Sequence, residues 1–346
     1  MKLLVRATNW LGDAVMSLPA LREIRQAHPA WEIVLLARPW AEDLYGREGV
    51  CDRTIPYEHT GRHRGALGRW RLARTLRAER FDRVILLPNS FDSALVPWLA
   101  GVRERIGYAR DGRSLLLTNA IRKPLAGEVP PHQRYYYLEM LHRAGLLADM
   151  PECREIRLAC AEEAAVSGRE FWSARGENGT RWIGVSPGAA NSIAKQWPPE
   201  RFAEAASCLA REMGAKVVIF GSGADAESGR SIAERIDLPA YNLVNQTTLR
   251  QFIDLTACCE VFLTNDSGGM HVAAALGVPT VVIFGPTDET ATGPAHSCAR
   301  VVREPVDCSP CLLKTCPIDH RCMTRVTPDR VVAEALQLIR NKNAVQ

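Results

Sequence analysis

The residue types best suited to chemistry gather in residues 261–288, VFLTNDSGGMHVAAALGVPTVVIFGPTD. An apolar run at 261–263 breaks into Thr264-Asn265-Asp266-Ser267-Gly268-Gly269, and a small-residue helical segment follows to Leu276. A second apolar run, 280–284, ends in Gly285-Pro286-Thr287-Asp288. The pattern reads as strand, Gly-rich turn, helix, strand, turn. In a parallel sheet such turns lie beyond the carboxyl ends of the strands, where open α/β folds bind ligands. Backbone N–H groups after Gly269 would carry partial positive charge, which suits a phosphate or diphosphate. His271, in the first helical turn, could donate to a phosphate oxygen or to a neighbouring loop. Asp266 or Ser267 would equally well cap the helix, and the motif by itself leaves both roles open.

Further upstream, Ser186-Pro187-Gly188-Ala189-Ala190-Asn191 precedes Lys195-Gln196-Trp197-Pro198. The segment supplies backbone donors, small side chains and a lysine, a good point charge for a departing diphosphate. An isolated lysine is otherwise a solvated surface residue. Gly221-Ser222-Gly223 is a second turn that lets a ligand approach the backbone, and Thr247-Thr248 suits the cap of a helix beginning at Leu249. Their common placement at strand ends favours a nucleotide pocket. Near the N-terminus, Asn9-Trp10-Leu11-Gly12-Asp13-Ala14 puts a carboxylate where the first strand turns into a helix. Asp13 could take a proton from an acceptor hydroxyl there, or cap the helix. Gly12 lacks the GxGxxG spacing, so a nicotinamide enzyme is not favoured. With no Asp-x-Asp in the chain, the usual acidic pair for a catalytic Mg²⁺ on a diphosphate is missing. Cys308-x2-Cys311-x4-Cys316-x5-Cys322, with His320, could enclose a structural zinc or iron–sulfur cluster. Its spacing is not that of a standard zinc ribbon, and free thiols or an opportunistic disulfide are the alternatives.

The elements that must position these groups alternate strand and helix. Strands are expected at residues 2–7, 32–37, 83–87, 182–186 and 216–220, with helices at 14–27 and 199–213. Such alternation implies parallel, doubly wound sheets. At 346 residues the chain exceeds one ordinary core, so two domains are expected, with the boundary in the polar stretch 162–180. The net charge of +4 does not imply nucleic acid. No apolar window is long enough to cross a bilayer and the N-terminus is too soon polar for a signal peptide, which predicts a protein of the reducing cytoplasm. Most of the eleven cysteines then read as small buried side chains. Residues 62–80 are different: Arg62, Arg64, Arg69, Arg71, Arg74, Arg77 and Arg80 crowd onto a predicted helix with few acids nearby.

With these residues in hand, the chain resembles glycosyltransferase family 9, the bacterial ADP-heptose:lipopolysaccharide heptosyltransferases. The resemblance rests on Asn9-Trp10-Leu11-Gly12-Asp13, Lys195-Gln196-Trp197-Pro198, Thr264-Asn265-Asp266-Ser267-Gly268-Gly269-Met270-His271 and Phe284-Gly285-Pro286-Thr287-Asp288. Residues 87–97, LPNSFDSALVP, point to its type II branch. It implies an α/β GT-B fold of two Rossmann-like doubly wound lobes with an interlobe cleft. Residues 1–165 would form the acceptor lobe and 180–327 the nucleotide-sugar lobe, with a helix at 328–346 packing back across them. The implied reaction is inverting and metal-independent, requires no cofactor, and moves heptose from ADP-L-glycero-β-D-manno-heptose to the first heptose of the inner core. Type I or III relatives and a GT-B nucleotide-sugar epimerase are the alternatives.

By the same resemblance Asp13 is the general base and Lys195 the cation on the departing ADP. Ser186, Gly188, Asn191, Gly221, Ser222, Asp266, Ser267, Gly268, Gly269, His271 and Thr287 are expected on the donor. Asn9, Trp10, Asn89, Ser90, Arg71 and Arg74 are expected on the acceptor. The cysteine-rich segment receives no role. The acceptor, anionic through carboxylates and phosphates, sits at the cytoplasmic membrane face, and the basic helix could steer the enzyme there as a peripheral protein. A solvated helix with salt bridges to nearby acids is the alternative.

Overall fold

Short runs of Val, Ile and Leu bounded by polar turns form strands buried on both faces, as all-parallel sheets require. The computed structural model describes residues 1–190 and 192–345, and the chain divides into two units, Met1–Cys153 and Arg154–Gln346. The first unit comprises β1 (Lys2–Arg6), α1 (Leu11–Ala27), β2 (Glu32–Ala37), α2 (Glu42–Tyr45), β3 (Arg53–Pro56), α3 (Gly65–Glu79), β4 (Arg83–Leu86), α4 (Phe91–Leu99), β5 (Glu104–Tyr108), β6 (Asn119–Ile121) and α5 (Gln133–Arg143). Its six parallel strands run in the order β3-β2-β1-β4-β5-β6. The second unit comprises α6 (Ala161–Ser173), β7 (Trp182–Ser186), α7 (Pro199–Met213), β8 (Lys216–Ile219), α8 (Ala226–Arg235), β9 (Ala240–Asn242), α9 (Leu249–Ala257), β10 (Cys259–Asn265), α10 (Gly268–Ala275), β11 (Thr280–Ile283), α11 (Glu289–Thr292), β12 (Ala299–Val302), α12 (Arg321–Thr324) and α13 (Pro328–Val345). Its sheet, also parallel, is ordered β12-β11-β10-β7-β8-β9. These are the two Rossmann-like doubly wound sheets expected of a GT-B protein.

Strand order reverses between β1 and β4 in the first sheet and between β7 and β10 in the second. Outside the carboxyl ends of the strands at such a switch point, adjacent loops run to opposite faces and leave a crevice for ligand. The loops that follow β4, β7 and β10 carry Asn89, Lys195 and Asp266 respectively, and Asp13 lies in the first turn of α1, the helix that follows β1.

The unit boundary falls earlier than the polar stretch 162–180, and α6 belongs wholly to the second unit. The cause is the close approach of α6 to α9: a Cβ on Gly168 would lie 2.2 Å from the Asp254 carbonyl oxygen. The terminal helix is likewise an integral part of the second unit. Its Val331, Val332, Ala335 and Leu338 join that unit's core, and α13 packs on α7, β11 and β12. In the first unit, the β3-to-β4 and β4-to-β5 connections both run toward the β6 edge. Right-handed crossovers therefore lay α3 and α4 on the same face of the sheet, where they touch.

Candidate functional site

The second unit assembles a charged constellation around Asp266, which is buried just past the end of β10. Its Oδ2 meets Lys195 Nζ at 2.7 Å and accepts a hydrogen bond from Thr287 Oγ1 at 2.7 Å. Three residues from three separate loops thus converge, and Lys195 is not the isolated surface lysine that sequence alone allowed. Ser267 occupies the N-cap position of α10 without making a side-chain capping bond; its Oγ lies 3.2 Å from Thr264 Oγ1. The helix opens with Gly268 and Gly269, and His271 is buried within it. By contrast, Thr248 does cap α9, in a reciprocal box with Gln251.

Sequence reasoning passed over Asn265 as a site residue. It is fully buried; its Oδ1 accepts from the Trp197 backbone N–H (3.0 Å) and its Nδ2 donates to the Pro187 carbonyl (2.6 Å). The loop that carries Lys195 is therefore pinned near both ends to the strand that presents Asp266. Ser186, buried at the end of β7, is 3.4 Å from where a Cβ on Gly269 would be. Asp225 joins the remaining turns: it accepts from Ser222 N and Oγ, each at 2.8 Å, and would stand 2.6 Å from a Cβ on Gly188 and block one on Gly221. Asn191 lies outside the described residues.

In the first unit, Asp13 sits in the opening turn of α1, where the helix dipole favours a carboxylate. Burial nonetheless raises its pKa above the ordinary Asp value, and the hydrogen bond that Tyr137 Oη donates to Oδ1 (3.3 Å) opposes that rise only in part. Tyr137 and Tyr45 lie behind it. Burial first, and then the Asp13 charge, push Tyr137 well above its usual range; burial carries Tyr45 to about 12. A partly desolvated carboxylate on a rigid helix is a competent proton acceptor.

Comparison with known proteins identifies the family. The model of glycosyltransferase family 9 (heptosyltransferase) matches residues 69–321. The chain is 34% identical over 314 residues to lipopolysaccharide heptosyltransferase 2 of Escherichia coli, covering 88% of each chain. It is 33% identical to the Salmonella typhimurium enzyme of that name, covering 98% of this chain and 99% of the other. The chain belongs to glycosyltransferase family 9. The solved structure of E. coli ADP-heptose lps heptosyltransferase II superposes with a TM-score of 0.82 at 31% identity, over 99% of this chain and all of that one.

The other residues expected on the acceptor of this glycosyltransferase have mixed fates. Asn9 Oδ1 accepts from Arg6 (2.7 Å), a buried guanidinium whose pKa burial lowers to about 10. Trp10 is 56% exposed. Asn89 is tied from within: its Oδ1 accepts from the fully buried Arg113 (3.3 Å) and its Nδ2 donates to Tyr136 Oη (2.9 Å). Ser90 is the N-cap of α4, accepting from Ser93 N at 3.3 Å. Arg113 also donates to Pro88 O and Ser93 Oγ, so an internal cation shapes the 88–93 loop. Arg71 and Arg74 are exposed on α3, and the salt bridges to nearby acids that were the alternative do not form for them among the described residues. Arg74 instead lies 4.9 Å over the Trp70 ring.

The cysteine-rich segment acquires a structural role. The Lys314 carbonyl accepts from Ala194 N (3.0 Å) and His320 Nε2–H donates to Ala194 O (2.7 Å), gripping the residue before Lys195. Leu312 N donates to Pro286 O (2.8 Å) and Ser309 Oγ to Gly285 O (2.5 Å), gripping the turn before Thr287. Cys322 is buried, and its thiol pKa is raised by burial and then by nearby Cys308, Cys316 and Cys311. Among the described residues no group of three or more His, Cys, Asp or Glu side chains is arranged to hold a metal ion.

Proposed function

We propose that this family 9 glycosyltransferase transfers L-glycero-D-manno-heptose from ADP-L-glycero-β-D-manno-heptose to the first heptose of the lipopolysaccharide inner core, with inversion and without a metal ion. The acceptor hydroxyl oxygen attacks the anomeric carbon and Asp13 takes its proton. The bond from that carbon to the β-phosphate oxygen breaks, and ADP leaves with the electron pair. Lys195 and the backbone N–H groups at the start of α10 balance the charge that grows on the diphosphate. Asp266, itself oriented by the Thr287 hydroxyl, holds the ammonium in place beforehand, so little reorganisation accompanies the reaction. Ser186, Gly188, Gly221, Ser222 and Gly269 offer small side chains and open backbone to the donor. Asn9, Trp10, Asn89 and Ser90 face the acceptor. Because that acceptor is lipid-anchored, the enzyme works as a peripheral protein at the cytoplasmic face of the inner membrane.

The observation that carries this reading is the Lys195–Asp266–Thr287 constellation at the second sheet's switch point. It supplies a fixed cation where open α/β folds bind nucleotides. The test is product analysis with ADP-heptose and inner-core acceptors ending either in one heptose or in no heptose. ADP release coupled to a one-heptose mass gain on the first acceptor alone is expected. Transfer to the heptose-free acceptor would assign the type I reaction instead, and donor turnover without any acceptor would oppose a transferase role.

A further inference from the structure

The outward side of α3 and α4 combines exposed apolar side chains with exposed arginines. On α3, Gly68, Leu72, Ala73 and Leu76 are buried, while Leu67, Trp70, Arg71 and Arg74 follow the i, i+3, i+4, i+7 spacing of the opposite face. Leu67 is 59% and Trp70 49% exposed. On α4, Phe91 and Trp98 are seven residues apart, hence on one face, and each is 47% exposed. Leu115, 94% exposed, stands on the short helical turn Arg113–Leu116 that packs against α4. As α3 and α4 cover the same face of the sheet, these aromatic and aliphatic side chains share one side of the first unit with exposed Arg71 and Arg74.

The acids of α3 and α4 are engaged with other partners. The acid of α3, Glu79, is held by Lys2 and Arg53, each at 2.7 Å, and the acid of α4, Asp92, accepts from Tyr57 Oη (2.7 Å) and from Arg69. What remains outward is guanidinium interleaved with indole and aliphatic carbon. Neither a folded core nor a polar surface calls for that composition, whereas the headgroup layer of an anionic bilayer takes both parts. Indole rings settle at its boundary and arginines meet its phosphates.

We propose that the α3–α4 face docks on an anionic phospholipid bilayer, with Trp70, Trp98, Phe91 and Leu67 entering the headgroup layer and Arg71 and Arg74 pairing with lipid phosphates. This surface ends at Ser90 and Phe91, where α4 begins, so docking brings the 88–93 loop to the membrane. That consequence for a lipid-anchored acceptor rests on the function proposed above; the binding itself does not.

The test is sedimentation of the full chain with phosphatidylcholine vesicles, with and without phosphatidylglycerol, at low and high salt. Binding is expected only with phosphatidylglycerol and is weakened by salt. Arg71→Gln and Arg74→Gln should each lower the partition coefficient about fivefold. Trp70→Ser with Trp98→Ser should also weaken binding and remove the fluorescence quenching caused by brominated acyl chains, with the melting temperature and transfer to a delipidated acceptor unchanged. Equal binding to neutral vesicles, or variants that bind like wild type, would overturn the proposal. So would a change of oligomeric state in the tryptophan variant, which would make the face a contact between copies. Loss of vesicle binding leaves the transferase reading standing, and failure of transfer with normal vesicle binding leaves this one standing.

Discussion

Replacing Lys195 with Met removes the cation from a nearly buried carboxylate. The Asp266 side chain is 7% exposed and that of Lys195 26%. Taking one partner from a fully buried pair costs about 3–5 kcal/mol. Lys195 is about one-quarter exposed and the Thr287 hydroxyl still donates to Asp266, so solvent screening and that bond reduce the expected cost to about 2 kcal/mol. For a unit of this size that corresponds to a fall in melting temperature of about 4–8 °C. Turnover should fall as well, by roughly 10²–10³, the scale for losing a preorganised charge opposite a developing anion. The decisive comparison is the double variant Lys195→Met with Asp266→Asn. It leaves no unpaired buried charge and should melt close to wild type, yet remain as slow as Lys195→Met. Thermal melting beside initial rates of ADP release separates the two effects. Turnover within about threefold of wild type in Lys195→Met, accompanied by the loss of stability, would make the pair purely structural and refute the role given to the lysine.

Asp13→Asn should abolish most activity and yet stabilise the fold. A raised folded-state pKa favours the protonated carboxyl, a stabilisation present below the ordinary Asp value and lost as pH rises through the folded value, so at neutral pH the anion is a burden. The variant should melt higher than wild type at pH 7 but not at the acid end of that window, with kcat lowered roughly 10²-fold or more; a lower melting temperature at pH 7 would contradict the assignment. Tyr137→Phe removes the hydrogen bond that opposes the rise, so the acid limb of kcat/KM should move to higher pH, and an unmoved limb would separate that limb from Asp13. Asn265→Ala strands a buried N–H and a buried carbonyl, at about 2–4 kcal/mol, and frees the Lys195 loop. Urea unfolding should register the cost and calorimetry a weaker ADP-heptose affinity; unchanged affinity would mean that the clamp does not serve the donor.

Local pattern alone determined much of this protein. Strands such as residues 32–37 and 182–186, and the helix at 199–213, stand where their periodicity put them, because apolar runs between polar turns have few other ways to be buried. Alternation of strand and helix made parallel sheets the expectation, and motifs at strand ends marked Asp13, Lys195 and Asp266. Tertiary structure decided the partners. Asp266 was open to a capping role until Lys195 and Thr287 were seen on its carboxylate, 71 and 21 residues away along the chain. Asn265 looked like part of a turn and proved to be a clamp, since backbone atoms at 187 and 197 meet it only when β7 and β10 lie side by side. Arg113 and the cysteine-rich segment carry no motif for positioning, because holding a loop through its carbonyls requires reach and burial but no signature of residue types. Sequence specifies which atoms could react; only the packed sheets fix which of them are brought within bonding distance and how far each is removed from water.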